Sequence, residues 1–185
     1  MTEVLLVIDV LNDFLDPAGA LFCGPRARAI IPVIRSLLDH FQRQGQPIFY
    51  LTDAHRPDDA EFALFPEHAV TGSWGSRIIA PLTPPKDAKI IPKTRFSSFY
   101  ATDLEAELRR VGPERVWVTG VCTSICVMDT VGDLRNRAYS PLVVDDAVAD
   151  FDQQFHEFAL IRMERVYGAK RIRWGDREPS PEAPA

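Results

Sequence analysis

The sequence predicts a single-domain α/β fold, in which a mostly parallel, doubly wound sheet lies between two layers of helices. Three observations support this prediction. The chain has 185 residues, a length typical of one domain. Continuous apolar runs, of the kind found in strands covered on both faces, recur along the chain. These runs alternate with segments of helical spacing, which is typical of parallel sheets with crossover helices.

The first half of the chain contains three predicted strands, joined by one helix and one long loop. Apolar runs rich in β-branched residues predict the strands, and apolar residues at helical spacing, followed by glycine, predict the helix. Pro32 either kinks this helix or marks its start. A loop of this length in a compact domain is often functional. The elements are a strand at 4–9, a helix at 26–45, a strand at 47–52, the loop at 53–87 and a strand at 88–92.

The second half repeats the alternation of helix and strand. Glycines at 112 and 168 end two of its helices. The elements are a helix at 103–112, a strand at 115–121, a helix from about Ser124 to Arg137, a strand within 140–148, an amphipathic helix at 152–168 and a short strand at 169–174. Residues 1–173 are predicted to form the domain. Residues 174–185 are polar and rich in proline, so we expect a disordered tail there.

The composition argues against several classes of protein. The net charge of −5 is unlike that of most nucleic-acid-binding domains. No apolar run approaches the roughly 20 residues that span a bilayer, and the N-terminus lacks the basic segment of a signal peptide. Cys23, Cys122 and Cys126 are too few, and odd in number, for a disulfide framework. We therefore expect a cytoplasmic protein with free thiols and with no nucleic-acid or membrane partner.

Reactive side chains follow the ends of four predicted strands. Asp9 ends the first strand, Asp53 follows the second, Lys93 follows the third, and the fourth runs into Cys122 and Cys126. Ligands of open parallel sheets bind beyond the carboxyl ends of the strands. Because the connection rules place these ends on one rim, we expect a carboxylate, a lysine and a thiol to converge there.

This combination of groups suits nucleophilic catalysis. A thiol becomes a strong nucleophile as the thiolate, which a helix N-terminus near Cys126 and the Lys93 ammonium would both favour. Asp9 could take the thiol proton and return it to a leaving amine. Such a set hydrolyses amides through a thioester. Taken singly, each residue has a structural alternative: a core cysteine, a capping aspartate or a surface lysine.

The long loop carries a possible metal site. Asp53 and His55 lie two residues apart in DAH, and His68 follows in FPEH. Two histidines and one carboxylate commonly bind Zn²⁺, Fe²⁺ or Mn²⁺ and leave positions open for water or substrate. The alternative is that these are ordinary loop histidines without a ligand role.

Three segments together resemble one known family. LLVIDVLNDF, IIPKTRFSSFYATDLEAEL and VTGVCTSICVMDT are similar, in this order, to segments of the cysteine hydrolase family of nicotinamidases and isochorismatases. The resemblance extends to about residue 173 and implies the isochorismatase-like hydrolase fold. It also implies that Asp9 is the general base, Lys93 the lysine of the triad and Cys126 the nucleophile. A cis peptide would join Val121 and Cys122 and aim the Cys122 N–H at the oxyanion.

The resemblance also covers the metal loop and the substrate pocket. FPEHAVTGSWGSRI is similar to the nicotinamidase segment that carries a metal-binding histidine. The ligands it implies are Asp53, His55 and His68, with Glu61 as a candidate fourth, and the metal it implies is a divalent ion, Zn²⁺ first and Fe²⁺ or Mn²⁺ as alternatives. The metal would bind the pyridine nitrogen of nicotinamide and orient its amide. Phe14 and Phe65 match the walls of the ring pocket.

The resulting prediction is a cytoplasmic amidase that converts nicotinamide, or a similar small amide, to the acid and ammonia. Leu11 and Ala69 depart from common family residues, so the substrate stays open. An isochorismatase-like or N-carbamoyl-amide hydrolase is the first alternative. A non-catalytic binding domain for a small molecule or a partner is the second, and a redox pair of Cys122 and Cys126 is the third. The resemblance further implies a homo-oligomer.

Overall fold

The computed structural model describes residues 1–176, which form one six-stranded sheet covered by helices on both faces. All six strands are parallel, and their order across the sheet is β3-β2-β1-β4-β5-β6. The predicted α/β fold with its doubly wound sheet is therefore confirmed. The strands are β1 (Glu3–Ile8), β2 (Ile48–Asp53), β3 (Lys89–Lys93), β4 (Arg115–Val121), β5 (Pro141–Ala149) and β6 (Lys170–Ile172).

Five helices connect and cover these strands. They are α1 (Asn12–Leu15), α2 (Pro25–Arg43), α3 (Leu104–Val111), α4 (Met128–Asn136) and α5 (Gln153–Arg165). The apolar residues of α2 pack in one buried cluster on one face of the sheet. Those of α3, α4 and α5 pack in a second cluster on the opposite face. Because both faces are covered, the central strands are mostly apolar, as the sequence predicted.

The strand order reverses between β1 and β4. Strands β2 and β3 extend the sheet to one side of this point, and β5 and β6 extend it to the other. The two central strands approach closely at Gly120, whose φ is +111° and where a Cβ atom would lie 1.9 Å from the Ile8 carbonyl oxygen. A crevice forms beyond the carboxyl ends of the strands at such a switch point, and ligands usually bind there.

Several local predictions need correction. Helix α2 begins at Pro25 and runs through Pro32, so Pro32 is not its start. A π-helical turn (Thr123–Val127) separates β4 from α4, where the sequence predicted a helix from Ser124. The short helix α1 and two 3₁₀ turns in the long loop, Ala60–Ala63 and Ala80–Leu82, were not predicted. Short turns of this kind carry too few residues for a periodic signal.

Trp174 lies where the predicted last strand meets the predicted tail. It is 7% exposed, and its indole N–H donates to the Ser36 hydroxyl at 2.9 Å. Residues 177–185 of the predicted tail lie outside the described residues. Within residues 1–176, none of the helices combines the length and the apolar character that crossing a bilayer requires.

Candidate active site

The sheet brings the four predicted strand-end groups together. Strands β3, β2, β1 and β4 are neighbours in the sheet. Strand β3 ends at Lys93 and β2 ends at Asp53. Strand β1 ends one residue before Asp9, and β4 ends five residues before Cys126. Asp9 has a φ of +52°, an uncommon conformation for a residue other than glycine. Its backbone N–H donates to the Leu51 carbonyl at 2.8 Å, which ties this turn to β2. Strained backbone of this kind is typical of functional sites.

Lys93 lies at the centre of the cluster. Its Nζ is 2.5 Å from Asp53 Oδ1, 2.8 Å from Asp9 Oδ2 and 3.5 Å from Cys126 Sγ. Asp9 Oδ1 also accepts the Asp53 backbone N–H at 2.8 Å. All four side chains are buried. The Lys93 ammonium thus forms ion pairs with two buried carboxylates, and it lies close to each of the three groups Asp9, Asp53 and Cys126.

Burial and neighbouring charges set the protonation of these groups. Burial, together with the Asp53 charge, raises the pKa of Asp9 to about 7, although Lys93 opposes the shift. Burial would also raise the pKa of Asp53, but Lys93 and His55 outweigh it and lower that pKa. Burial opposes charge on Lys93 as well, yet Asp53 and Asp9 raise its pKa well above the ordinary value. The cluster therefore holds a charged lysine, a charged Asp53 and an Asp9 that titrates near neutrality.

The Cys126 thiol differs from the expectation drawn from sequence. Burial raises the pKa of Cys126 well above its ordinary value, and Asp9 and Asp53 add to the shift while Lys93 opposes it. Cys126 lies in the π-helical turn, two residues before α4 begins, and is therefore near a helix N-terminus as predicted. The free protein therefore holds a neutral thiol beside a carboxylate that can accept its proton, instead of a preformed thiolate.

Contacts from Asp150 and His156 hold the turn that carries Cys126. The peptide bond between Val121 and Cys122 is cis. Further along, the Ser124 backbone N–H donates to Asp150 Oδ2 at 2.6 Å. Sequence reasoning missed Asp150, although its position directly after β5 follows the same strand-end pattern as Asp9. The Thr123 hydroxyl and His156 Nδ1, on α5, are 2.9 Å apart, a contact with no local sequence signal.

A second group of side chains, Asp53, His55 and His68, lies beside the thiol. Each offers one ligand atom, and these atoms lie within 4.8 Å of one another. His68 Nδ1 donates to the Pro66 carbonyl at 2.7 Å, which leaves Nε2 to act as a ligand. The structure thus brings together the three residues that the sequence offered as metal ligands.

The surroundings of His55 fit a bound cation. The ring is completely buried, and neither ring nitrogen has a hydrogen-bond partner of good geometry. Nδ1 lies 3.2 Å from Asp59 Oδ2, and Nε2 lies 3.7 Å from Asp53 Oδ2. Glu61 Oε1 lies 3.9 Å from His55 Nε2 and 3.6 Å from His68 Nε2. A buried, unpartnered imidazole nitrogen facing carboxylates matches the donor set and charge of a divalent metal site.

Two further aspartates hold the loop in place. Asp59 faces His55, accepts the Glu61 backbone N–H at 3.0 Å and pairs with Arg95 at 3.1 Å. Asp13 accepts the Ala69 backbone N–H at 2.8 Å, next to His68. Sequence reasoning missed both residues. The pattern DDAE did contain a signal for Asp59, because an aspartate before a short helical turn often caps it.

A mainly apolar pocket opens onto the thiol. Phe14 and Phe65, the two predicted wall residues, both line it. Cys122, Cys126, Asp9, Asp53, Glu61 and His68 form its reactive side. The sequence did not predict the other lining residues, which are Leu21, Phe96, Ile125 and Phe151. Val121, which was predicted for the cis peptide bond, also lines the pocket. Among the residues that the structure describes, no lysine or arginine lines this pocket.

Comparison with known proteins gives consistent matches. The family model described as the Isochorismatase domain matches residues 3–174. The crystal structure of the nicotinamidase/pyrazinamidase PncA from Bacillus subtilis is 35% identical, with a TM-score of 0.88 over 92% of this chain and 99% of that one. The pyrazinamidase of Pyrococcus horikoshii, solved in complex with zinc, is 31% identical, with a TM-score of 0.87 over 94% and 99% of the two chains.

A third solved structure has a different printed activity. The N-carbamoylsarcosine amidase from Thermoplasma acidophilum is 34% identical, with a TM-score of 0.85 over 94% of this chain and 97% of that one. The family match covers nearly all of the described residues, and the similar structures cover nearly the whole length of both chains. The chain belongs to the isochorismatase family and is a hydrolase.

Proposed function

We propose that this hydrolase is a cysteine-dependent amidase that converts nicotinamide, or a similar small aromatic amide, to the acid and ammonia. The observation that carries the proposal is the juxtaposition of two groups in one pocket. The thiol, lysine and carboxylate of Cys126, Lys93 and Asp9 lie directly beside the candidate metal ligands, and Asp53 contacts both groups. The nicotinamidase and pyrazinamidases among the similar structures support the same assignment.

The geometry suggests how the residues divide the chemistry. As Cys126 attacks the amide carbon, its proton passes to Asp9, whose pKa of about 7 suits a group that must first accept and then donate a proton. Asp9 then protonates the leaving ammonia, and a thioester remains on Cys126. Water hydrolyses this thioester with Asp9 acting again as the base. Lys93 holds Asp9 in place and supplies positive charge to the developing thiolate.

The candidate metal site lies where it can position the substrate. Asp53, His55 and His68 would hold the ion, with Glu61 as a further candidate, and we propose Zn²⁺ as the metal. The zinc complex of a similar pyrazinamidase supports that choice. When bound, the metal supplies a Lewis acid that can accept a lone pair from a ring nitrogen of the substrate. His68 is oriented for its role by the Pro66 carbonyl.

The pocket favours a neutral, flat amide over the alternatives. Phe14, Phe65, Phe96 and Phe151 supply apolar walls suited to a ring. Isochorismate and N-carbamoyl amino acids carry carboxylates, for which the described part of the pocket offers no lysine or arginine partner. N-carbamoylsarcosine remains the strongest competing substrate because a similar structure is an amidase for it. A non-catalytic binding domain would need neither the thiol nor its paired base.

We further propose that the enzyme is cytoplasmic and assembles with copies of itself. Its three cysteines are free thiols, as is usual in a reducing compartment. On and beside α5, Phe155, Phe158, Ile161 and Val166 are between 46% and 62% exposed. Clusters of exposed apolar side chains commonly mark protein interfaces. Light scattering of the purified protein, and of a variant with Phe155→Ser and Phe158→Ser, would test this assignment.

Ammonia release from a substrate panel tests the proposed activity. Zinc-loaded protein is assayed with nicotinamide, pyrazinamide, N-carbamoylsarcosine and isochorismate. The proposal predicts turnover of nicotinamide that is lost in Cys126→Ala. Cys23→Ala is the matched control, because it also removes a buried thiol. Under reducing conditions this control should keep the turnover. Turnover of N-carbamoylsarcosine alone would reject nicotinamide as the substrate. Equal turnover in wild type and Cys126→Ala would reject the cysteine mechanism.

A further inference from the structure

Cys23 and Cys122 form a close pair of buried thiols at the edge of the pocket. Their Sγ atoms are 3.4 Å apart, although 99 positions separate the residues in sequence. They are 3% and 5% exposed, and both are free. The sequence offered a redox pair between Cys122 and Cys126, whereas the sulfur that contacts Cys122 in the structure is that of Cys23.

Both thiols are attached to the wall of the active-site pocket. Cys122 lines the pocket itself, next to Val121. Cys23 lies two residues after Leu21, another lining residue, and its thiol is 3.5 Å from the Leu21 carbonyl oxygen. The Cys23 backbone N–H donates to the Phe14 carbonyl at 2.9 Å, which links it to a third part of the wall. A small oxidant that enters the pocket therefore meets Cys122, which lines the pocket together with Cys126, before it meets Cys23.

We propose that Cys23 and Cys122 form a reversible disulfide when the protein meets a two-electron oxidant of the peroxide class, and that this disulfide lowers turnover. Hydrogen peroxide oxidises the Cys122 thiol to a sulfenic acid and releases one water. The Cys23 sulfur then attacks the Cys122 sulfur, and the sulfenic hydroxyl leaves as a second water. In total, two thiols lose two electrons and two protons, peroxide is reduced to two waters, and one S–S bond forms.

The two sulfur atoms, 3.4 Å apart, need only a small movement to form this bond. A disulfide has an S–S length of about 2.05 Å, so the atoms must approach each other by roughly 1.3 Å. The movement draws together two segments of the pocket wall that contain Leu21 and Cys122. Displacements of about 1 Å in an active site cost on the order of 100-fold in rate. A small thiol reductant reverses the change by thiol–disulfide exchange.

Peptide mapping tests the cross-link without reference to any activity. Cys126→Ala protein is treated with hydrogen peroxide, alkylated and digested with trypsin under non-reducing conditions. We expect peptides 1–26 and 116–135, which contain Cys23 and Cys122, to be joined and to separate on reduction. In the same background, Cys23→Ser should abolish the joined species. Recovery of both peptides fully alkylated after peroxide treatment would overturn the proposal.

Activity measurements test the consequence, which rests on the proposed amidase function, whereas the cross-link does not. Wild type and Cys23→Ser are treated with peroxide until peptide mapping shows the cross-link in wild type. The treatment stops while Cys126 still reacts with the alkylating agent, which shows that its thiol is still reduced. The expected result is a kcat/KM on the order of 100-fold lower in wild type, restored by dithiothreitol, with little change in Cys23→Ser. A complete cross-link with unchanged kcat/KM would overturn the inhibitory role.

Discussion

Replacing Lys93 with methionine tests the charge arrangement at the centre of the site. Methionine keeps most of the volume of the side chain but removes the ammonium that lies 2.5 Å from Asp53 Oδ1 and 2.8 Å from Asp9 Oδ2. The two carboxylates would then face each other in a buried site without a cation. Removing one partner of a buried ion pair typically costs about 3–5 kcal/mol, because an uncompensated charge remains.

Urea unfolding of metal-free protein at pH 8 measures this loss. With a slope of about 2 kcal/mol per molar, a loss of 3–5 kcal/mol lowers the midpoint by roughly 1.5–2.5 M. Lys89→Met is the matched control, because Lys89 lies on the same strand but pairs with Glu107 at the surface. Its midpoint should stay close to that of wild type. Equal midpoints for the two variants would refute the charge arrangement described above.

The effect of pH gives the experiment a second readout. The pKa of Asp9 is about 7 in the folded protein and 3.8 for an ordinary aspartate, so between these values the folded state binds a proton that the unfolded chain releases. Asp9 therefore contributes stability at low pH that is lost as the pH rises through the folded pKa. Because Lys93 opposes the rise in the pKa of Asp9, removing Lys93 raises that pKa further and widens the pH range between the folded and unfolded values. Lys93→Met should be less destabilised, relative to wild type, at pH 5 than at pH 8.

Three other substitutions test separate parts of the account. Asp9→Asn removes the proton acceptor with little change in shape, so kcat should fall by about 10²- to 10⁴-fold, with KM nearly unchanged, in steady-state assays. His68→Ala removes a candidate metal ligand. At a zinc concentration 100 times the Kd of the wild-type protein for zinc, wild type should gain about 2.7 kcal/mol of stability. The variant should not show this gain, and elemental analysis should find no bound zinc in it. Gly120→Ala places a Cβ atom 1.9 Å from the Ile8 carbonyl oxygen at a φ of +111°, and should cost about 2–5 kcal/mol in urea unfolding. Each idea fails if the variant matches wild type in the named measurement.

The parts of the site on strand ends were predictable from sequence. Asp9, Asp53 and Lys93 each follow an apolar run, and the parallel arrangement of such runs leaves their carboxyl ends on one rim. The approximate bounds of β1 to β5 followed from the same runs. The chemistry of these residues suggested their roles, and the resemblance to a family supported them, because position on a rim does not by itself distinguish a base from a capping group.

Contacts between distant segments were not predictable in this way. Asp59 faces His55 only because a 3₁₀ turn folds the loop back, and four residues give no periodic signal. The approach of Cys23 to Cys122 depends on the path of an irregular segment before α2. The raised pKa of Cys126 depends on its burial, which the motif alone did not reveal. Sequence patterns thus located the reacting groups, whereas their protonation and their supporting contacts required the three-dimensional structure.

The most direct test of the central claim is to trap the proposed thioester. Wild-type protein is mixed with nicotinamide, quenched in acid within the first turnovers and analysed by intact mass and peptide mapping. The account predicts a nicotinoyl adduct on the peptide 116–135, located at Cys126, that appears with a burst of ammonia and is absent in Cys126→Ala. Steady ammonia release without any adduct, and with Cys126→Ala still active, would contradict the account.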